Sequence, residues 1–276
     1  MNGRSITALM RKDIRAITAS TQMWVPMLIV PLIFVVLLPG VFLILGRTVT
    51  LADQDDIRFV QQFLGGIPQG ALRTQIESFG SLDAQLVYLM INYLFAPLFL
   101  MVPVMASSIM AAAFVGEKEK RTLETLLFTP LSEMELFLGK MLSAFVPALV
   151  VSWGGFLIFT AEFILLGAPL FGQPMLPAPH WLAIILCLVP ALSLLMVFLN
   201  VLVSAKVKGY QEAQQLSVLV ILPILFLLYG QIGGIVFLST PLLLFCGVGV
   251  FVLDAVLIRF AVKSFNRDKL FRTQIS

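Results

Sequence analysis

Charge is scarce in this chain. Asp, Glu, Lys and Arg together make up 12% of its 276 residues, against 59% apolar residues. A soluble domain of this size cannot bury that much apolar surface, so lipid must be the solvent for most of it. Histidine occurs once, at His180, and cysteine twice, at Cys187 and Cys246. No HExxH, GxSxG or CxxC pattern exists, so metal and nucleophile chemistry find no support. Each cysteine sits inside an apolar run and reads as a small core residue rather than half of a disulfide. His180 stands at a membrane boundary and reads as an interfacial neighbour of Trp181, not a ligand. A phosphate-binding loop is also lacking. Gly139–Lys140–Met141 has Met134 where the first glycine should be, and no Ser or Thr comes after the lysine. This chain is therefore not an ATPase. No cleavable signal peptide is visible, because MNGRSITALMRKDIRA is too polar and the first apolar run has full spanning length.

Long apolar runs are what the chain has in abundance. A bilayer takes about 20 apolar residues in a helix, and six runs qualify: 24–46, 86–115, 141–166, 181–205, 216–238 and 242–262. The expected fold is an all-α membrane protein, with residues 1–276 as one transmembrane domain. Prolines inside these runs do not veto them, since membrane helices tolerate proline when neighbours resatisfy the freed carbonyls. No convincing internal repeat is present. Fifteen of the 18 Lys and Arg residues fall on the side holding residues 1–23, the 116–140 loop, the 206–215 loop and the C-terminal tail. Only Arg47, Arg58 and Arg73 fall on the other. The positive-inside rule then makes both termini cytoplasmic. The basic excess is a topology signal, with membrane lipid as its partner and no nucleic acid. Outside, residues 47–85 form the one sizeable loop, in which DQDDIRFVQQFL reads as a short helix and LGGIPQG as a turn. The 167–180 loop, with Pro169, Pro174, Pro177 and Pro179, reads as short and extended.

GEKEKRTLETLLFTPLSEMELFLGK, residues 116–140, breaks the apolar pattern. Thirty-two uncharged residues precede it and 21 come after it, yet Glu117–Glu124 carries three acids and three bases. Glu117 and Arg121 form an i,i+4 pair in the favourable order, beside a stripe of Leu123, Leu126 and Leu127. Pro130 stops that helix, and Ser132 with Glu135 is a capping box that starts the next. Leu131 and Leu136 stand where a hydrophobic staple would put them. A helix lying on headgroups would carry mostly basic charge, whereas balanced charge suits a protein partner.

These residues resemble the signature region of ABC-2 type transporter permeases. The correspondence runs through Glu117–Lys118–Glu119, Thr122–Leu123–Glu124, Leu126–Leu127, Pro130–Leu131–Ser132 and Gly139–Lys140. The resemblance is greatest to the branch of sodium-efflux-like and antibiotic or peptide exporters. It implies a six-helix, type V exporter-like transmembrane domain in the inner (plasma) membrane of a prokaryote. It also implies a second permease subunit, identical or related, and two ATP-binding subunits. ATP and Mg would be bound by those partners, with no cofactor in this chain. In the family this loop is the coupling helix that docks on the ATP-binding subunit. That role carries over to Glu117, Lys118, Arg121, Leu123, Glu124, Leu126, Leu127 and Pro130. One departure concerns Ser239–Thr240–Pro241, which is much shorter than the family's extracellular segment there. YGQIGG at 229–234 offers a break within the fifth span.

The N-terminal segment reads as an amphipathic interfacial helix. Arg4, Arg11, Lys12 and Arg15 cluster on one side, Ile6, Leu9, Met10, Ile14 and Ile17 on the other, and Asp13 falls on the apolar side. Lipid anchoring and contact with the ATP-binding subunit are both open for it. Four polar residues inside spans are candidates for the substrate path. A carboxylate at a span centre costs about 2.5–3.5 kcal/mol on insertion scales, which singles out Asp254 and Glu162. Glu162 lies four residues from the end of its run and can snorkel outward. Asp254 is deeper and needs another helix or a watery cavity, with Asn200 as one possible partner. Asn92 is a weaker candidate of the same kind. Each has a structural reading, an interhelix hydrogen bond, beside the functional one. The competing functions are an ion-coupled transporter titrating Asp254 and Glu162, and a membrane scaffold without transport. The substrate is open: a hydrophobic drug, a peptide, a lipid or an ion.

Overall fold

A backbone in lipid must satisfy its own hydrogen bonds, which favours helix. Helix is the only regular structure among the residues that the computed structural model describes: 3–50, 54–67, 69–109, 132–204, 217–233 and 235–264. Helix α1 is Gly3–Thr18. Helix α2 spans residues 21–48, and two shorter helices come next, α3 (Gln54–Gly66) and α4 (Ala71–Glu77). Helix α5 is Leu82–Ile109. Helix α6 is Glu133–Phe171, and α7 spans residues 180–204. Helices α8 (Ser217–Ile232) and α9 (Thr240–Ser264) complete the order.

Among the described residues, five helices are long and apolar enough to cross a bilayer: Trp24–Thr48, Leu82–Ile109, Leu138–Phe171, His180–Asn200 and Thr240–Arg259. The fifth expected span, 216–238, ends early. Its described part is helix α8, which reaches Ile232. It stops at the glycine-rich break that the sequence offered. The Gly233 N–H bonds back to Tyr229 O at 2.9 Å, and the Ile235 and Val236 N–H groups both reach Gly230 O, at 2.8 and 3.0 Å. An extended stretch then leads into α9. Residues 205–216 lie outside the described set, so the start of α8 is not fixed by it.

Other boundaries also moved. Helix α6 is uninterrupted over 39 residues and ends at Phe171, past the expected limit of 166, with Gly172 supplying the left-handed cap at φ 78°. The 47–85 segment holds the expected short helix, α3, which continues through Gly66 into the sequence read as a turn.

Helices α5 and α7 are buried on most sides, while α2, α6 and α9 turn most of their apolar surface outward. Aromatic side chains fill the centre. Trp181 meets Phe159 at 4.6 Å and Phe99 at 5.4 Å between ring centroids, and Phe171 caps the far end against Phe79 at 5.2 Å.

Three of these transmembrane helices contain a described π-helical turn, at Leu32–Leu37, Met90–Leu94 and Ile184–Leu188. Each has a proline within a few residues of its end: Pro39, Pro97 and Pro190. In π register a carbonyl accepts from the residue five ahead. Proline has no N–H, so the carbonyls of Phe34, Asn92 and Ile185 lose that donor. Side chains from elsewhere in the chain replace two of the three. His180 Nε2 lies 2.7 Å from Asn92 O, and Trp153 Nε1 lies 3.1 Å from Ile185 O. The prolines thus open docking points that the neighbouring helices fill. Trp153→Phe keeps the ring and orphans the Ile185 carbonyl. A loss of about 1–3 kcal/mol is expected, read as a lowered melting temperature of the purified chain in detergent. An unchanged melting temperature would contradict this account.

Candidate functional site

The docking residues read from the sequence, Glu117, Lys118, Arg121, Leu123, Glu124, Leu126, Leu127 and Pro130, lie outside the described residues, as does Leu131. The described chain resumes at Ser132, immediately beyond that loop, and a second helix packs there. Helix α6 starts with the capping box read from the sequence. The Glu135 N–H donates to Ser132 Oγ at 3.2 Å, and the Ser132 N–H donates to Glu135 Oε2 at 3.1 Å. The cap fixes where the loop ends and the rod begins.

Helix α1 packs closely on this first part of α6. Its buried or half-buried stripe is Ile6, Leu9, Met10, Asp13 and Ile14, at i, i+3, i+4, i+7 and i+8, while Arg4, Arg11, Lys12 and Arg15 are exposed. The close approach depends on Gly139. A Cβ at that position would lie 2.6 Å from Leu9 Cδ2 and 3.3 Å from Leu9 Cβ. The adjacent residue, Lys140, reaches into the same contact. Its Nζ lies 2.8 Å from Asp13 Oδ2, with both side chains about 93% buried. The angle falls short of a well-formed hydrogen bond, so the attraction is chiefly Coulombic. Lys12 Nζ adds a weaker approach to Asp13 Oδ1 at 3.7 Å, from an exposed side chain.

This explains the charge that the helical wheel left on the wrong side. Asp13 is on the apolar face because that face meets Lys140. The Gly139–Lys140 pair, legible only as part of a motif, has two physical tasks: the glycine admits Leu9, and the lysine neutralises Asp13. The N-terminal helix is thereby tied to the first part of α6, eight residues after the capping residue Ser132.

The polar residues inside the spans separate into two kinds. Asn92 is satisfied. Its Nδ2 donates to Tyr88 O at 3.0 Å, and its Oδ1 accepts the Ala178 N–H at 2.7 Å. Its carbonyl accepts from His180, whose ring also stacks on Tyr93 at 4.7 Å. Asn92 and His180 together bind the 172–179 loop to the π turn of α5. His180 is buried at the first residue of α7, and its ring lies 6.4 Å from that of Trp181.

Glu162, Asn200 and Asp254 are of the other kind. Helix α6 continues nine residues beyond Glu162, so this carboxylate is further from the helix end than the sequence implied. It is half-buried, its Oε1 presses on Gly40 of α2, and its Oε2 has no hydrogen-bond partner among the described residues. Asp254 is 4% exposed, and neither of its carboxyl oxygens has a hydrogen-bond partner among them. Gly247 meets Cys187 of α7, and Asp254, seven residues on, shares that face of α9. Asn200 is on α7, but it lies 13 residues beyond Cys187 where Asp254 lies seven beyond Gly247. The offset is about 9 Å along the axis. The two are not hydrogen-bonded. Asn200 Nδ2 donates to Met196 O at 2.9 Å, and its Oδ1 has no partner among the described residues. Among the described residues no group of three His, Cys, Asp or Glu side chains could hold a metal ion.

Comparison with protein families gives a match over residues 7–247, to the family described as ABC-2 family transporter protein. No curated protein and no solved structure matches the chain.

Proposed function

We propose, since this chain belongs to the ABC-2 family of transporter proteins over residues 7–247, that it is the membrane permease of an ATP-driven exporter. The family consists of membrane subunits that work with separate ATP-binding subunits, so ATP hydrolysis belongs to the partner. Two permease subunits, identical or related, form the substrate path between them, and two ATP-binding subunits dock on the cytoplasmic side at Glu117–Pro130. Leu123, Leu126 and Leu127 fill a groove on the partner, while Glu117, Arg121 and Glu124 fix the register. Both termini are cytoplasmic, and the cargo is a hydrophobic drug, a peptide, a lipid or an ion.

The observation that carries this reading is the buried Asp13–Lys140 and Leu9–Gly139 contact. It makes α1 and the start of α6 one body directly beyond the loop. Force applied to the loop enters a transmembrane helix through a braced joint instead of a free hinge.

The test is co-purification of the partner ATP-binding subunit with Leu127→Asp and Glu124→Lys variants. Loss of an interface hot spot costs about 2 kcal/mol or more, so retention falls by about thirtyfold while membrane insertion is unchanged. Undiminished binding by both variants overturns the docking assignment. Export by the purified chain on a pH gradient without ATP, abolished by Asp254→Asn, would instead favour the ion-coupled reading.

A further inference from the structure

An interfacial helix ordinarily holds a bilayer by sinking its apolar face among the acyl chains. In α1 that face is taken. Leu9 closes on Gly139 and Asp13 on Lys140 of α6, and both Leu9 and Asp13 are buried in protein. What α1 presents outward is its other side. Arg11 and Arg15 stand one turn apart, both exposed. At 3.6 residues per turn they lie about 40° apart around the helix, on an arc centred opposite Asp13. Arg4 is exposed in the same arc, two turns before Arg11. Asp13 is the one acid in Gly3–Thr18, and it is buried on the far side.

The depth of α1 is set by its neighbours. The apolar span of α6 begins at Leu138, next to the Gly139 that receives Leu9, and that of α2 begins at Trp24, six residues after Thr18. Two spans thus start at the level of α1, where hydrocarbon gives way to headgroups. Arg11 and Arg15 make no ion pair among the described residues, whereas Arg73 in α4 is engaged with Glu77 at 2.7 Å. Side chains four residues apart on a helix have Cβ atoms about 5–6 Å apart, so both guanidiniums can reach one phosphodiester. Like charges at that spacing destabilise a helix, and a phosphate between them relieves the repulsion. Each guanidinium fork donates two hydrogen bonds to such an anion. An amine on the same headgroup would meet further positive charge, which disfavours a zwitterionic lipid.

We propose that Arg11 and Arg15 bind the headgroup phosphate of an anionic phospholipid, by charge and without insertion of α1. The helix is held to the protein through its apolar side and to the bilayer through its basic side. The assignment is independent of how transport is driven.

The experiment is native mass spectrometry of the full chain, delipidated in detergent. It is titrated with phosphatidylglycerol and with phosphatidylcholine of the same acyl chains. A basic side chain near the surface is worth about fivefold in affinity for anionic lipid, so Arg11→Gln combined with Arg15→Gln weakens phosphatidylglycerol retention roughly 25-fold. Retention of phosphatidylcholine and the melting temperature without added lipid stay unchanged, which shows that the fold persists. Arg58→Gln, at an exposed residue of α3, leaves the retention of both lipids as it was. Equal retention of the two lipids by the unaltered chain overturns the proposal, as does undiminished phosphatidylglycerol retention by the double variant. Displacement of the lipid by an equimolar amount of water-soluble glycerophosphoglycerol would overturn the assignment to lipid. Loss of the partner ATP-binding subunit from the double variant, with lipid retention intact, would assign this face to that protein instead.

Discussion

Lys140→Ala lowers the stability of the purified chain by about 3–5 kcal/mol, the range expected when one member of a buried ion pair is removed. The reason is the position of Asp13. Its carboxylate is buried on the α1–α6 contact, and Lys140 is its close cation at 2.8 Å, with Lys12 a more distant and exposed one at 3.7 Å. Without Lys140 the carboxylate must stay desolvated with only the distant Lys12 beside it, or pull α1 away from α6. Asp13→Leu combined with Lys140→Met behaves differently. Replacing a buried pair by apolar side chains of similar size is often neutral or stabilising, so this variant melts at or above the temperature of the unaltered chain. Thermal unfolding in detergent distinguishes the cases. Equal stability of Lys140→Ala and the double apolar variant would show that Asp13 is not electrostatically tied to α6. Transport adds a second reading. If the chain is the exporter permease proposed above and the ion pair fixes the angle at which α1 meets α6, the double apolar variant is stable but exports less per ATP hydrolysed.

Asn92→Leu is the second substitution with a large effect. The leucine fills the space but removes the acceptor for the Ala178 N–H and the donor to Tyr88 O. A buried orphan N–H costs about 1–3 kcal/mol, and the backbone bond from His180 to residue 92 does not compensate for it. Proteolysis within residues 172–179 should accelerate, because this loop loses one of its two ties to α5. Asn92→Asp keeps an oxygen for Ala178 and should protect the loop better than leucine does. Equal cleavage rates in the unaltered chain and Asn92→Leu would show that the loop is held by something else.

The membrane helices were legible because hydrocarbon imposes a length and a polarity on whatever crosses it. Hence Trp24–Thr48, Leu82–Ile109, Leu138–Phe171, His180–Asn200 and Thr240–Arg259 all overlap runs visible in the sequence. The capping box at Ser132 and Glu135 was legible because it needs only residues three apart. Asp13 was legible as a misfit and no more, since its partner lies 127 residues away and nothing local points to Lys140. The π turns were illegible for a related reason. Pro39, Pro97 and Pro190 announce a lost hydrogen bond, but whether the helix kinks or shifts register depends on a donor such as Trp153 or His180 arriving from elsewhere. The early end of α8 sits between these cases. Its glycines marked a weak point, and only the back-bonding to Gly230 and Tyr229 shows that the helix stops there. Glu162 was placed too near a helix end because Gly167 and Pro169 read as loop, whereas α6 runs on through both.

Helix α6 is about 58 Å long at 1.5 Å per residue, nearly twice the hydrocarbon thickness of about 30 Å. Lys140 is close to one tip and Leu170, against Gly46, close to the other. Pro147 and Pro169 each remove one hydrogen bond from it, yet the helix runs unbroken past both. A tilt given to the Lys140 tip is therefore carried along one continuous element toward the Leu170 tip, and the two faces of the bilayer share a single rod.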